Sequence, residues 1–233
     1  MKTLIAFSGG IDSTYIAWKL LQETNDEIVL AYFDQFYITE KNNGANGTSS
    51  VTPYQLVVSK NIHSWLCKNI RKCEYKKVIM TKFDNGYDFS LQFAKYSGIS
   101  AANGIADSFI HGLAGLFTNR NTLLEKEFSK YSNKGKIWFP IREWRKTTAH
   151  QIQELPKELL NLTLSCHLPK IVDSNLVQCG HCPKCFRNKI IMESLDKMDD
   201  PLLAIEKYKQ TERYKQEKIS QSQREKRIGM VYG

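Results

Sequence analysis

The chain has 233 residues, with 33 Lys and Arg against 24 Asp and Glu, for a formal net charge of +9. Its 42% hydrophobic and 11% aromatic content can bury a core, which excludes global disorder, and the length suits one large domain or one domain with a small appendage. No stretch approaches the roughly 20 continuous apolar residues that cross a bilayer, and the apolar run Leu4 to Phe7 is too short for a secretory signal. The expectation is a cytoplasmic protein with no membrane partner. In that compartment thiols stay reduced, so the six cysteines point to metal ligands, catalytic thiols or small buried side chains.

In chain order, Leu4 to Phe7 reads as a buried parallel strand that runs into a tight loop, Ser8-Gly9-Gly10. Asp12 to Gln22 has apolar residues at near-helical spacing, and Ile28 to Phe33 reads as a second strand ending at Asp34. The polar stretch Glu40 to Ser50 is a loop. Pro53 opens a helix whose apolar face runs through Val57, Val58, Ile62, Trp65, Leu66 and Ile70, and Lys77 to Thr81 is a third strand. This alternation predicts an α/β fold with a doubly wound parallel sheet. Asn103 to Phe117 is expected to form a further helix, Lys136 to Ile141 an extended segment because Phe139 precedes Pro140, and Lys146 to Leu155 a short helix before Pro156. Composition divides the chain into an α/β domain over 1–163, a small cysteine-rich helical unit over 164–200, and a basic, helical tail over 201–233. Within that tail, residues 206–227 carry eight basic and four acidic side chains, nearly half of the charge excess. The mixed signs favour a solvated helix, while the excess would suit a protein or nucleic-acid partner.

The segment Ser8-Gly9-Gly10-Ile11-Asp12-Ser13-Thr14 leaves a strand and opens a helix. There, glycines let the backbone approach phosphates, and helix amides and hydroxyls donate to them. It matches neither GxxxxGK[ST] nor GxGxxG. A plain helix cap by Asp12 or Ser13 is the bland alternative, but capping does not require two glycines followed by Asp-Ser-Thr.

Cys179, Cys182 and Cys185 are spaced C-x2-C-x2-C, with Cys166 thirteen positions before Cys179. Four thiolates in two short steps and one long arm suit tetrahedral structural zinc. An iron–sulfur cluster also uses four cysteines, but its ferredoxin pattern wants another Cys followed by Pro soon after Cys185, and none follows. Cys67 and Cys73 read as ordinary buried or half-buried thiols.

SGGIDST at 8–14 resembles the SGGxDS signature of the PP-loop ATP pyrophosphatases, which adenylate a substrate and release pyrophosphate. The resemblance implies that Ser8, Gly9, Gly10, Ile11, Asp12, Ser13 and Thr14 hold the pyrophosphate end of ATP, and that Phe33 and Asp34 meet the adenosine. Within that group, the Cys166…CGHCPKC pattern resembles the 7-cyano-7-deazaguanine synthases. So do Pro140-Ile141 with Lys146 six positions after the proline, and Leu164-Ser165-Cys166-His167. The likeness covers residues 1–34 and about 137–195. It implies ATP with magnesium as cosubstrate, structural zinc on Cys166, Cys179, Cys182 and Cys185, a deazaguanine-type small molecule as substrate, ammonia as amine donor, and a homodimer.

Under this resemblance Asp12 would hold Mg2+ or orient the loop. Lys146, with Arg145 beside it as a rival, would neutralise the departing pyrophosphate. The family's Pro-Gly-Arg-Asn-like loop is replaced by the stretch Tyr96 to Gly104, from which Asn103 alone carries over, and its histidine-containing stretch by Gln35-Phe36-Tyr37. Asp107 and His111 would join the pocket if their helix turned inward. These departures admit a second expectation, that the adenylated deazaguanine modifies a protein or nucleic acid, as proposed for divergent relatives in bacterial antiviral operons. A zinc-containing nucleic-acid-binding module is a third.

Overall fold

The computed structural model of the chain describes residues 1–34, 52–79, 89–110, 118–166, 169–172, 175–216 and 218–219. Five strands build one sheet: β1 (Lys2–Ala6), β2 (Glu27–Asp34), β3 (Glu74–Ile79), β4 (Ser108–Ile110) and β5 (Lys136–Trp138). Their order is β3-β2-β1-β4-β5 and every pairing is parallel. The order reverses at β1, which pairs with β2 through Ile5 opposite Leu30 and with β4 through Leu4 opposite Phe109. In such sheets the crevice outside the carboxyl ends at the reversal is where ligands bind.

Strand periodicity assigns the two faces. Ile5, Phe7, Ile28, Leu30 and Ile110 face α1 (Ile11–Glu23) and α2 (Thr52–Asn69), meeting Tyr15, Ile16, Leu20, Ile62 and Leu66. Leu4, Val29, Ala31, Phe33 and Phe109 face the other way, against Phe93 and Ala101 of α3 (Phe89–Ala102) and Phe128 of α4 (Thr118–Ser129). Because both faces are covered, the strands read as continuous apolar runs rather than alternating ones.

Past the sheet come the short helices α5 (Pro140–Glu143), α6 (Thr148–Glu154) and α7 (Lys157–Leu162). The antiparallel hairpin β6 (Lys170–Val172) and β7 (Asn175–Val177) follows, then α8 (Pro183–Met198) and α9 (Pro201–Gln210). Apolar side chains of α6 to α9, together with Cys166, Cys182 and Cys185, belong to the same buried cluster as α1 and α2. The core therefore runs across both compositional boundaries, at 163/164 and 200/201.

Two expectations change. No helix spans 103–117: α3 ends at Ala102, and the chain turns through Gly104 N–H to Ala101 O (3.0 Å) and Ile105 N–H to Ser100 O (2.9 Å). Ser108-Phe109-Ile110 then inserts between β1 and β5 as β4. A short apolar run has no decisive period of its own, and strand pairing on both sides settles it. The extended segment at 136–141 stops at Trp138, because Pro140 takes the first position of α5, where its missing N–H costs nothing. The tail begins with a helix, α9, that is exposed over most of its surface and packs through one side. Asp200 caps α9 by accepting from Leu202 N–H (2.8 Å) and Leu203 N–H (3.1 Å), while Ala204 and Tyr208 are buried. Arg213 donates to His181 O (2.7 Å). The expected loop at 40–50, and His111, lie outside the described residues. No helix among the described residues is long and apolar enough to cross a membrane.

Candidate functional site

The loop leaves β1 at its carboxyl end, beside the reversal of strand order. Gly9 has φ +74°, and a Cβ there would lie 2.9 Å from Val58 Cγ1 and 3.2 Å from the Ser59 amide nitrogen, so both conformation and space require glycine. Gly10 is the N-cap of α1 and makes no side-chain cap bond of its own. Ser13 Oγ donates to Gly10 O (3.2 Å) and lies 3.4 Å from Ser8 Oγ. These contacts gather the hydroxyls at the head of α1. Asp12 Oδ1 and Thr14 Oγ1 are buried and have no hydrogen-bond partner among the described residues. An unpaired buried oxygen costs about 1–3 kcal/mol, so this loop is held in an arrangement its own contacts do not satisfy.

The restraint comes from far along the chain. Leu164 N–H donates to Gly9 O (2.9 Å), and Ile11 N–H donates to Ser165 Oγ (3.2 Å). The next residue is Cys166, so the two sequence motifs are physically continuous. The sulfurs of Cys166, Cys179, Cys182 and Cys185 lie within 4.8 Å of one another. Cys179 and Cys185 are 4.0 Å apart, close to the roughly 3.8 Å edge of a tetrahedral zinc–thiolate site. Gly180, at φ +77°, turns the C-x2-C step so that Cys182 N–H donates to Cys179 Sγ (3.2 Å), while Cys179 N–H donates to Cys166 Sγ (3.2 Å). Burial raises the Cys179 thiol, but amide donors from Cys182 and His181 outweigh it and bring it down to about 7. Burial pushes Cys185 the other way. A cation is what lets such sulfurs ionise together, and the group can hold a metal ion such as zinc.

Two residues beyond the sequence expectations interact with side chains of α1. Lys184, on the first turn of α8 between two of the cysteines, has its pKa lowered by burial, and the Asp12 carboxylate opposes that shift. Glu154 of α6 accepts from Tyr15 Oη with one oxygen and pairs with Lys146 Nζ through the other. Burial raises its pKa, yet the Lys146 and Tyr15 hydrogen bonds prevail and hold it below the usual glutamate range. Lys146 is thus engaged with Glu154 one helical turn from the loop. Its neighbour Arg145 takes the left-handed conformation, φ 52°. No spacing rule could have found Lys184 or Glu154, since Asp12 and Tyr15 are remote from them in sequence.

The remaining expected contacts are dispersed. Phe33 is buried in the core, edge-on to Phe93 and Tyr96 with ring centroids 5.3 Å from each. Asp34 ends β2 and pairs with Lys77 at 2.7 Å. Asn103 is exposed where α3 ends, four residues before Asp107, whose carboxylate accepts from Lys2 N–H (2.8 Å). Lys2 starts β1, so the structure puts Asn103 and Asp107 at the amino end of the sheet, opposite the loop, because α3 runs antiparallel to the strands. Residues 35–51, 80–88 and 111–117, which follow β2, β3 and β4, are outside the described residues.

Fold and site together define an α/β protein with an all-parallel sheet and a four-cysteine group able to hold a metal ion. No protein-family model matches the chain, and no curated protein matches it.

Proposed function

We propose that this chain is an ATP-dependent, AMP-forming enzyme of the PP-loop type, resembling 7-cyano-7-deazaguanine synthase. The observation that supports this most is the SGGIDST loop at the carboxyl end of β1, glycine-dependent at Gly9, with Asp12 Oδ1 and Thr14 Oγ1 buried and unpartnered. Those oxygens fit a phosphate with its magnesium: the carboxylate of Asp12 suits Mg2+, and the hydroxyl of Thr14 and the amino end of α1 suit an anion. ATP supplies the AMP group that turns a carboxylate or amide oxygen into a leaving group, releasing pyrophosphate. Ser8, Gly9, Gly10, Ile11 and Ser13 would line the pyrophosphate. Lys184, which already feels the Asp12 carboxylate, joins Lys146 as a cation for the charge that develops there. Zinc on Cys166, Cys179, Cys182 and Cys185 fills a closed tetrahedral shell and would act structurally, holding Leu164 and Ser165 against the loop.

The test is AMP and pyrophosphate formation by zinc-loaded protein given ATP, Mg2+, 7-carboxy-7-deazaguanine and ammonia. Protein that neither binds ATP nor forms AMP sinks the reading. A second reading, transfer of the adenylated deazaguanine to a protein or nucleic acid, is favoured by one feature. α9 exposes Leu202 and Leu203 beside the exposed cations Lys207 and Lys209, a surface suited to a macromolecular partner. Mass spectrometry of co-expressed neighbours separates the two: only the second leaves a mass addition on a macromolecule.

A further inference from the structure

A separate concentration of ligating side chains stands where α2 ends and β3 begins. His63 and Cys67 are four residues apart on α2, hence on one helix face. The helix closes with Ile70 N–H on Leu66 O (2.9 Å), and the chain then reverses to bring Cys73 beside them, one residue before β3. Arg71 fixes the reversal. Its guanidinium donates to Leu21 O (2.9 Å), Thr24 O (3.0 Å) and Asp26 O (2.8 Å), carbonyls of the α1–β2 connection. Cys67 Sγ consequently lies 3.7 Å from Cys73 Sγ and 3.3 Å from His63 Nε2, and the three ligating atoms fall within 4.8 Å of one another. All three residues are half-buried. The His63 ring is flanked by Tyr75, with centroids 5.3 Å apart, and the Tyr75 hydroxyl is itself fixed at 2.7 Å from Ser59 Oγ.

These separations fit metal ligation. Two thiolates on tetrahedral zinc, with Zn–S of about 2.3 Å, stand about 3.8 Å apart, and a thiolate and an imidazole nitrogen about 3.6 Å. A disulfide would need the sulfurs near 2.05 Å and would leave the histidine without a role. Two thiolates, a neutral imidazole and a dication sum to zero, which suits a half-buried site. His63 Nε2 is also 3.0 Å from Cys73 O, a hydrogen bond that an incoming ion would replace.

We propose that His63, Cys67 and Cys73 form a three-ligand site for a thiophilic cation of the zinc class, with a fourth position for water or a small thiol. It is distinct from the four-cysteine group: it clasps the end of α2 to the start of β3, and its incomplete shell makes its ion the more exchangeable of the two.

The experiment strips the reduced full-length chain with a chelator, titrates it with Zn2+, and counts the retained metal by mass spectrometry. Wild type is expected to retain about one ion per chain more than the Cys67→Ser/Cys73→Ser variant, while Cys166→Ser keeps that additional ion. His63→Gln, which leaves both thiols, should weaken its retention about tenfold or more. Circular dichroism of the metal-free forms checks that the variants fold alike, and Co2+ in place of Zn2+ should show a thiolate charge-transfer band lost in the double variant. Equal metal content in wild type and the double variant overturns the proposal. So does reduced wild type that takes up no additional ion and instead forms a Cys67–Cys73 disulfide on exposure to air.

Discussion

The two ends of the central sheet solve the problem of polar groups differently. At the amino end, charges settle on one another or on the backbone. Lys2 Nζ pairs with Glu27 (2.7 Å) and Glu74 (3.6 Å), the terminal amine reaches Asp26 (3.4 Å), and Asp107 accepts from Lys2 N–H (2.8 Å). At the carboxyl end, Asp12 Oδ1 and Thr14 Oγ1 are buried without a hydrogen-bond partner among the described residues, and the backbone at Gly9 is left-handed. The amino end is built for stability. The carboxyl end keeps unsatisfied oxygens in place by restraints from elsewhere, the bonds from Leu164 and Ser165 and the cysteine group behind them. Such a division of labour is what the proposed ATP site would require of the fold.

That contrast can be broken by mutation, starting with the largest effect on stability. Cys182→Ser should abolish metal retention at the four-cysteine group and cost at least about 3 kcal/mol, with ATP binding lost as well, because Ser165 no longer anchors the loop. Thermal melting with and without a chelator reads this; a chelator-insensitive wild type would contradict it. Gly9→Ala should cost about 2–4 kcal/mol in a denaturant titration, from the left-handed backbone and the overlap with Val58 and Ser59. If Gly9→Ala melts like wild type, the restraint on the loop has been overstated.

Glu154→Gln should cost about 1 kcal/mol near neutral pH, since the partners Tyr15 and Lys146 remain but the charge does not. The sign with pH follows from the depressed pKa of Glu154. Its contribution is present above the ordinary glutamate value of 4.5 and is lost as pH falls through the lower folded value. The stability curves of wild type and variant should therefore converge in acid; curves that stay parallel down to acid unfolding would exclude this linkage.

The smallest stability effects give the sharpest functional contrast. Asp12→Asn should leave stability within about 0.5 kcal/mol of wild type, or raise it, because the charge on a carboxylate with an unpartnered buried oxygen is removed. AMP formation should fall about a hundredfold or more. Asp107→Ala, at the other end, removes the acceptor of the Lys2 amide and should lose about 1 kcal/mol while leaving AMP formation unchanged. The reverse pattern would place the chemistry at the wrong end of the sheet.

How much of this was legible depended on the range of the interaction. The run from β1 through the glycine loop to β2 could be read directly, because strand, tight turn and helix each leave a local periodic signature. The C-x2-C-x2-C spacing was equally local. α3 escaped notice: its residues Phe93, Ala94, Ser97 and Ala101 are buried between sheet and neighbouring helix, and it lacks a clean polar face to mark its period. β4 escaped because three residues become a strand only when β1 and β5 lie on either side. Cys67 and Cys73 are half-buried thiols as expected; their approach to each other and to His63 could not be read from their spacing, because it depends on the bend that Arg71 holds.

By itself, then, the amino-acid sequence determined the α/β class, the glycine loop at the head of α1 and the group of four cysteines able to hold a metal ion, all properties of residues within one segment of the chain. Only the tertiary structure decided that the loop is bonded to Leu164 and Ser165, that Lys184 comes within the field of Asp12, that Glu154 engages Lys146, and that Asn103 lies at the opposite end of the sheet. The Ile11–Ser165 bond spans 154 positions, and no local pattern encodes such a meeting. It arises when the apolar faces of α1, α6 and α8 are buried in one core, and the polar groups beside them are carried into contact.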